Sequence, residues 1–179
     1  VRDAAALERA HDVDTLVVDK TGTLTEGQPR VADALELDGD ADEVLRLAAS
    51  AERESEHPLA EALVHEAERR GLELARPEGF EALTGRGVRA TVEGRRVEVG
   101  RFDWLEERPG VTALRERGLT AVGVTLDGEP AAVLGIGDPL RSTTKAAMER
   151  LRSMGVDVRM MTGDHPATAA AVAAEVGLP

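Results

Sequence analysis

Three stretches of the chain differ in the spacing of their hydrophobic residues. Residues 15–18 form a short apolar run, which predicts a buried strand that ends at Asp19. Residues 156–161 form a second apolar-rich run, and a Thr-Gly-Asp turn follows it. Residues 78–137 instead alternate apolar and polar positions in pairs of runs separated by turns, which is typical of hairpins. The pattern therefore predicts two strand-to-turn junctions with an antiparallel region between them.

Apolar residues recur at helical spacing around these strands. One stripe follows Asp40 or Asp42, either of which suits a helix N-cap, and runs to Ala51; another begins at Pro58 and stops at Gly71. Further helices are predicted over residues 3–11, 111–117, 142–154 and 166–176, while residues 31–37 are predicted to be an extended connector.

The order of these elements predicts an α/β fold with an insert. Helix, strand, turn and helix in succession are typical of parallel βαβ units, so the two ends of the chain are expected to share one sheet. The strand-rich middle, with its hairpins and flanking helices, predicts an antiparallel α+β insert. We assign residues 1–30 and 138–179 to the α/β part and residues 31–137 to the insert.

Composition excludes several classes of function. The 179 residues include 34 acidic and 22 basic side chains, a net charge of −12, so we expect no nucleic-acid partner. Without cysteine the chain forms neither disulfides nor thiolate metal sites. No apolar run reaches the roughly 18 residues that a membrane helix needs, and residues 1–4 lack a signal-peptide pattern.

The two predicted junctions carry the first candidate chemistry. Asp19 stands at the carboxyl end of a strand, where ligands bind in open α/β sheets, and a carboxylate there can attack phosphorus to form an acyl phosphate. The alternative is that Asp19 caps the next element and Gly22 makes the turn. Thr162, Gly163 and Asp164 offer a hydroxyl and backbone N–H groups before a helix, which suit an anion or an ordinary N-cap.

A second candidate site lies in the middle of the chain. His57 stands just before a helix in the sequence Ser-Glu-His-Pro, residues 55–58, and Glu52 lies five residues earlier. An imidazole can stack on adenine or hydrogen-bond to it, and a carboxylate can accept from the exocyclic amine of adenine. The alternative is that His57 is a capping or surface histidine.

Together these motifs resemble the heavy-metal (Cu⁺-type) P-type ATPases. The sequence DKTGTLT at residues 19–25 matches their phosphorylation signature, and SEHP at residues 55–58 matches the motif of their nucleotide-binding domain. The resemblance covers essentially the whole chain, which is similar to the large cytoplasmic loop of that family. It implies a partial phosphorylation domain of the haloacid-dehalogenase type, Rossmann-like, with an inserted antiparallel α+β nucleotide-binding domain.

The resemblance also implies roles for individual residues. Asp19 would accept the γ-phosphate of ATP, Lys20 and Thr162 would hold the phosphoryl oxygens, and Mg²⁺ would contact Asp19 and the Thr21 carbonyl. Gly163 and Asp164 would complete the catalytic group beside Thr162. Nucleotide would be bound by Glu52 and His57 and approach the backbone at the family's Gly-x-Gly and later glycine, which are Gly85, Gly87 and Gly100.

The same resemblance implies cofactors and partners. ATP and Mg²⁺ are the expected cofactors, and the rest of a parent ATPase, with its membrane helices and actuator domain, is the expected partner. The parent would export a heavy-metal cation, Cu⁺ being the one expected, bound outside this segment. The segment would face the cytoplasm.

Several residues stay open at this point. Arg101 stands where the family usually has Asn, and it could meet a phosphate or be solvated. Asp138 and Arg141 match the family's Asp-x-x-Arg, but Asp138 could equally cap the helix that begins near Ser142. Lys145 is expected to be an exposed helix residue. Surface positions are expected for His11, His65 and His165.

Two alternatives to a transport ATPase are a standalone nucleotide-binding module and a phosphatase of the same superfamily. Thr21 disfavours the phosphatase, because related phosphatases carry an acid at that position. The family's later lysine and its Gly-Asp-Gly-x-Asn-Asp sequence, which supplies an Mg²⁺ carboxylate, do not occur in these 179 residues. We therefore expect the segment to bind nucleotide but to turn over little.

Overall fold

The computed structural model describes residues 13–36 and 40–178, so the helix predicted at residues 3–11 lies outside the described part. The strands are β1 (Thr15–Asp19), β2 (Arg30–Glu36), β3 (Glu78–Leu83), β4 (Gly87–Val92), β5 (Arg95–Gly100), β6 (Thr120–Leu126), β7 (Glu129–Gly137) and β8 (Asp157–Met161). The helices are α1 (Ala41–Glu52), α2 (Pro58–Arg69), α3 (Val111–Glu116), α4 (Thr144–Ser153) and α5 (Pro166–Glu175), with a 3₁₀ helix at Asp103–Glu107.

The two ends of the chain share one sheet, as predicted. β1 and β8 pair in parallel, with Thr15 opposite Asp157 and Asp19 opposite Met161. Leu24, Met148, Val158 and Val176 form the buried core that joins this sheet to α4 and α5. Because the two strands end at the same level, Asp19 and the turn after Met161 open on the same edge.

The middle of the chain forms a six-stranded antiparallel sheet in the order β2-β7-β6-β5-β4-β3. Both predicted hairpins are confirmed, β4 with β5 and β6 with β7. Residues 31–37 were expected to be a connector, but Arg30–Glu36 is the edge strand β2 and pairs with β7. The alternating side chains of this stretch are compatible with either structure, and the partner strand lies about a hundred residues away in sequence.

The two faces of this sheet carry separate cores. Helices α1 and α2 cover one face, where Leu47 and Leu63 are fully buried against strand residues such as Val97 and Val124. The other face packs α3 and the 3₁₀ helix through residues such as Leu114. Successive side chains of a strand point to opposite faces, so the period-two pattern supplies both cores.

The predicted helix signals are confirmed where the structure describes them. The Asp40 carboxylate accepts from the Asp42 N–H at 3.0 Å and caps α1, and Pro58 and Pro166 occupy the first turns of α2 and α5. Across residues 13–36 and 40–178, the structure contains no helix of the length and apolarity that crossing a membrane requires.

Candidate functional site

Asp19 is exposed at the carboxyl end of β1, where the parallel sheet ends. Within the described residues its carboxylate makes no hydrogen bond and no ion pair to another side chain. The backbone then turns sharply, because Thr21 is extended and Gly22 has a φ of 74°. Asp19 is therefore a free carboxylate at a strand end, which is the arrangement that a nucleophile needs.

Lys20, directly after Asp19, is buried and forms an ion pair with Asp164. The Thr162 hydroxyl donates to the same carboxylate at 2.9 Å, and the Asp164 N–H donates back to the Thr162 oxygen at 3.2 Å. The structure thus brings both predicted junctions together through Asp164. A buried ammonium held by one carboxylate has a fixed position, and it keeps further N–H groups that can donate to an anion.

Asp138 binds the chain just after β1 instead of capping a helix. Its carboxylate accepts from the Thr25 hydroxyl, from the Gly27 N–H at 3.0 Å and from the Gln28 N–H at 3.1 Å. The suggested cap on the helix after Ser142 is wrong, since Thr143 occupies the N-cap of α4 and makes no side-chain capping bond. The long-range bonds of Asp138 hold the turn that carries Asp19.

Arg141 and Thr144 fasten the same turn from a second side. The Arg141 guanidinium donates to the Gly22 carbonyl at 3.0 Å, and the buried Thr144 hydroxyl donates to the Leu24 carbonyl at 2.6 Å. Both acceptors are backbone oxygens of the turn after Asp19. Arg141 and Thr144 therefore fix the shape of that turn.

A separate cleft of about 450 Å³ lies between α2 and the ends of β4 to β6. It is lined by all five residues predicted to bind nucleotide, together with Arg101, Thr120 and apolar side chains; the predicted five are Glu52, His57, Gly85, Gly87 and Gly100. The mixture of apolar walls and a few polar groups is typical of small-molecule sites.

His57 caps α2 and also lines this cleft. Its Nδ1 accepts from the Leu59 N–H at 3.2 Å, so the proton of the neutral ring lies on Nε2. His165 caps α5 in the same way through the Ala167 N–H at 3.2 Å. His165 is exposed as predicted, but its cap was missed, although each histidine is followed by a proline that opens a helix.

Glu52 is a buried acidic side chain of the cleft whose carboxyl group is only partly hydrogen-bonded. It is 7 % exposed, and its Oε2 atom has no hydrogen-bond partner. Burial raises the pKa of Glu52 to about 7, and a hydrogen bond from Ser55 opposes this rise only in part. A buried carboxyl with an unused oxygen at a cleft is a candidate ligand-binding group.

Gly87 and Gly100 face each other across β4 and β5. A Cβ on Gly87 would overlap the Val99 carbonyl oxygen, and one on Gly100 would overlap the Arg86 carbonyl oxygen. These two glycines are therefore required by the strand pair itself, whereas a Cβ on Gly85 would meet nothing within 4 Å.

Arg101 lies between the cleft and the Asp19 edge. Its guanidinium donates to the Gly163 carbonyl at 3.2 Å. Of the other residues left open, Lys145 is exposed as predicted and pairs with Glu175 at 3.1 Å, and His65 is exposed, while His11 lies outside the described residues.

A second cleft of about 310 Å³ contains Asp19, Lys20, Thr21 and the Thr162–Asp164 turn. It adjoins the first cleft, because both are lined by His57, Leu59, Arg101 and Thr120. A molecule bound in the first cleft can therefore extend to Asp19.

No cluster of three or more acidic or histidine side chains that could hold a metal occurs in the parts of the chain that the structure describes. The Asp19 carboxylate and the Thr21 carbonyl are nevertheless hard oxygen donors on one turn. Such donors suit Mg²⁺, which binds proteins through one or two carboxylates and completes its shell with phosphate oxygens and water.

Comparison with known proteins gives a consistent set of relatives. The family model for haloacid dehalogenase-like hydrolases matches residues 13–179. A copper-exporting P-type ATPase of Legionella pneumophila is 42% identical over 186 residues, covering 99% of this chain and 25% of that protein. The chain thus spans about a quarter of the length of the curated relatives it matches.

Two solved structures are similar along nearly the whole chain. A zinc-transporting PIB-type ATPase in its E2.Pi state superposes with a TM-score of 0.72 at 37% identity, covering 97% of this chain and 30% of that one. The catalytic domain of the CPx-ATPase CopB-B, from work on conformational changes upon nucleotide binding, superposes with a TM-score of 0.74 at 27% identity, covering 100% and 64%.

Proposed function

The chain belongs to the haloacid dehalogenase-like hydrolase family, and on that premise we propose that it is the ATP-binding and phosphorylation region of a P-type ATPase. The observation that carries this proposal is the junction of two clefts, one lined by Glu52 and His57 and the other by Asp19. The similarity to copper-exporting P-type ATPases supports it and favours a heavy-metal cation, Cu⁺ being the one we expect.

The proposal divides the chain into two functional parts. Residues 31–137, which contain nearly all of the antiparallel sheet, are the inserted nucleotide-binding domain. Residues 1–30 and 138–179 are the first and second parts of the phosphorylation domain. The division is supported by the separate cores of the two sheets.

The chemistry follows from the free carboxylate of Asp19. An Asp19 oxygen bonds to the γ-phosphorus of ATP while the bond from that phosphorus to the bridging oxygen breaks, so ADP leaves and an aspartyl phosphate remains. Lys20, fixed through its ion pair with Asp164, keeps N–H groups that can donate to the phosphoryl oxygens, and the Thr162 hydroxyl would exchange its bond to Asp164 for one to phosphate. Asp19 and the Thr21 carbonyl would hold Mg²⁺, which neutralises phosphate charge when bound.

The nucleotide base occupies the first cleft in this proposal. The Glu52 oxygen is buried at the cleft and has no partner among the described residues, so in this proposal it would accept from the exocyclic amine of adenine. The His57 ring, held by its cap, offers a face and an Nε2–H. Three glycines line the same cleft without side chains: Gly85 in the turn between β3 and β4, Gly87 at the start of β4 and Gly100 at the end of β5.

The parent protein would be a membrane ATPase with this segment on the cytoplasmic side. Its membrane helices would bind the transported metal, and its actuator domain would dephosphorylate Asp19. Thr21 supports transport over phosphatase activity, since a threonine there cannot act as the general acid or base that rapid hydrolysis of an aspartyl phosphate requires.

The nucleotide site is tested by two matched substitutions. His57→Ala and His165→Ala each remove a histidine N-cap ahead of a proline, so both should cost about 0.5–2 kcal/mol of stability. Only His57 lines the clefts. We expect His57→Ala to weaken ATP binding about tenfold by isothermal titration calorimetry, as the loss of one base-stacking contact predicts, and His165→Ala to bind like the wild type. Equal affinities for the two variants would contradict the proposal.

The nucleophile is tested in the parent protein with γ-labelled ATP. We expect incorporation of label that hydroxylamine removes, as it does for acyl phosphates, and no incorporation in Asp19→Asn. Hydrolysis of p-nitrophenyl phosphate by the segment at ordinary enzymatic rates would instead favour the phosphatase.

A further inference from the structure

Arg101 connects the two clefts. It follows Gly100 at the end of β5, and its backbone N–H donates to the Arg86 carbonyl at 2.6 Å, which fixes where its side chain starts. Its guanidinium reaches the Gly163 carbonyl at 3.2 Å, in the turn that follows β8. The side chain is exposed and lines both clefts.

The positive charge of Arg101 is not used by a carboxylate. Within residues 13–36 and 40–178 it forms no ion pair, and its acceptor, the Gly163 carbonyl, is neutral. Lys20, the other cation of the Asp19 cleft, is paired with Asp164. In a chain with a net charge of −12, an uncompensated cation between two joined clefts attracts an anion to that position.

A guanidinium can hold two acceptors at once. It has five N–H donors in a rigid fork, and the Gly163 carbonyl uses one of those of Arg101. The remaining donors suit the bidentate geometry that phosphates accept from arginine. A phosphate bound by Arg101 would therefore lie against the turn that contains Thr162 and Asp164.

We propose that Arg101 binds the β- and γ-phosphates of the nucleotide and directs them from the first cleft towards Asp19. This inference rests on the proposed function, because it assigns a residue to the phosphate part of the same nucleotide site. Arg101 is a phosphate-binding and positioning residue, and the specificity it confers is for nucleoside di- and triphosphates over nucleosides.

A purely structural role makes a different prediction. If Arg101 only ties β5 to the Gly163 turn, its loss alters the cleft for every ligand, including a nucleoside without phosphates. If it binds phosphate, its loss affects ATP and ADP and leaves adenosine unchanged. The number of phosphates on the ligand therefore separates the two roles.

The test compares Arg101→Gln with Arg101→Lys and with the control Arg150→Gln, in which an exposed arginine on α4 loses the same charge. Affinities for ATP, ADP and adenosine are measured by isothermal titration calorimetry without Mg²⁺ at two salt concentrations. We expect Arg101→Gln to weaken ATP and ADP about tenfold or more, because charged hydrogen bonds to phosphate are lost, and to leave adenosine within about twofold of the wild type.

The other variants test whether charge or the guanidinium fork accounts for the loss of affinity. Arg101→Lys, which keeps the charge but not the fork, should recover part of the loss, and the salt dependence of ATP binding should fall in Arg101→Gln but not in Arg150→Gln. Equal weakening of ATP and adenosine, or no weakening of ATP, would overturn the inference while leaving the nucleotide site intact. If the wild-type chain binds none of the three ligands, the proposed function itself fails.

Discussion

The buried carboxyl of Glu52 makes the stability of the protein depend on pH in a specific direction. Its pKa rises from 4.5 to about 7 in the folded protein because burial disfavours the charged form. Between these values the folded protein keeps a proton that the unfolded chain has released. The free energy of unfolding therefore falls as pH rises through this window, and the loss is complete above about pH 7.

The size of the effect follows from the same shift. The rise in the pKa of Glu52 lowers the free energy of unfolding by about 3 kcal/mol in total once the group is ionised. About 2.5 kcal/mol of this loss falls between pH 5 and pH 8. Glu52→Gln keeps the size of the side chain and cannot ionise. Relative to the wild type, the variant should thus gain about 2.5 kcal/mol between pH 5 and pH 8, since contributions from all other groups cancel in the difference.

Urea denaturation at pH 5, 6, 7 and 8 measures this difference directly. Glu54→Gln is the control, because Glu54 lies only two residues after Glu52 but is exposed. The difference in unfolding free energy between this variant and the wild type should stay nearly constant across the pH range. A Glu52→Gln difference that changes by less than about 0.5 kcal/mol across this range would refute the argument that burial controls the ionisation of Glu52.

Four further substitutions test the scaffold of the site. Gly87→Ala should destabilise the chain by more than about 3 kcal/mol in urea denaturation, because the new Cβ would overlap the Val99 carbonyl oxygen. Gly85→Ala should cost only about 1 kcal/mol, because its Cβ would meet no atom within 4 Å and only the positive φ is unfavourable. Asp138→Ala should cost about 2–3 kcal/mol, since three donors lose their acceptor, and should speed amide hydrogen exchange in the turn after β1. Thr168→Val should cost about 1–3 kcal/mol by the same denaturation assay, because the buried Leu119 carbonyl loses its donor.

The helices and hairpins could be predicted because their signals are local. Asp40 as a cap, Pro58 in a first turn and the turn at Glu93-Gly94 each act within a few residues of the structure they determine. β2 could not be distinguished from a connector, because its pairing depends on β7, which is about a hundred residues away. Sequence patterns give the period of a strand but not its partner.

The candidate site was predictable in its residues but less so in its contacts. The residues of both motifs line two adjoining clefts, yet no local pattern indicates that Asp138 binds the turn at residues 25–28 rather than a nearby helix. The burial of Glu52 and the bond from Arg101 to Gly163 are likewise tertiary effects. The cap at His165 is the exception, because the repeated His-Pro pair could have revealed it.

The side chains around Asp19 are held by hydrogen bonds and ion pairs, whereas within the described residues the Asp19 carboxylate is not. Asp138 and Arg141 are committed to the turn, and Lys20 and Thr162 are committed to Asp164. Asp19 itself has no partner among the described side chains. A site so arranged offers an unhindered nucleophile within a fixed frame, so the incoming phosphate does not have to break an existing contact of Asp19. Positioning, rather than activation of the carboxylate, is then what the surrounding residues contribute, as expected for phosphoryl transfer.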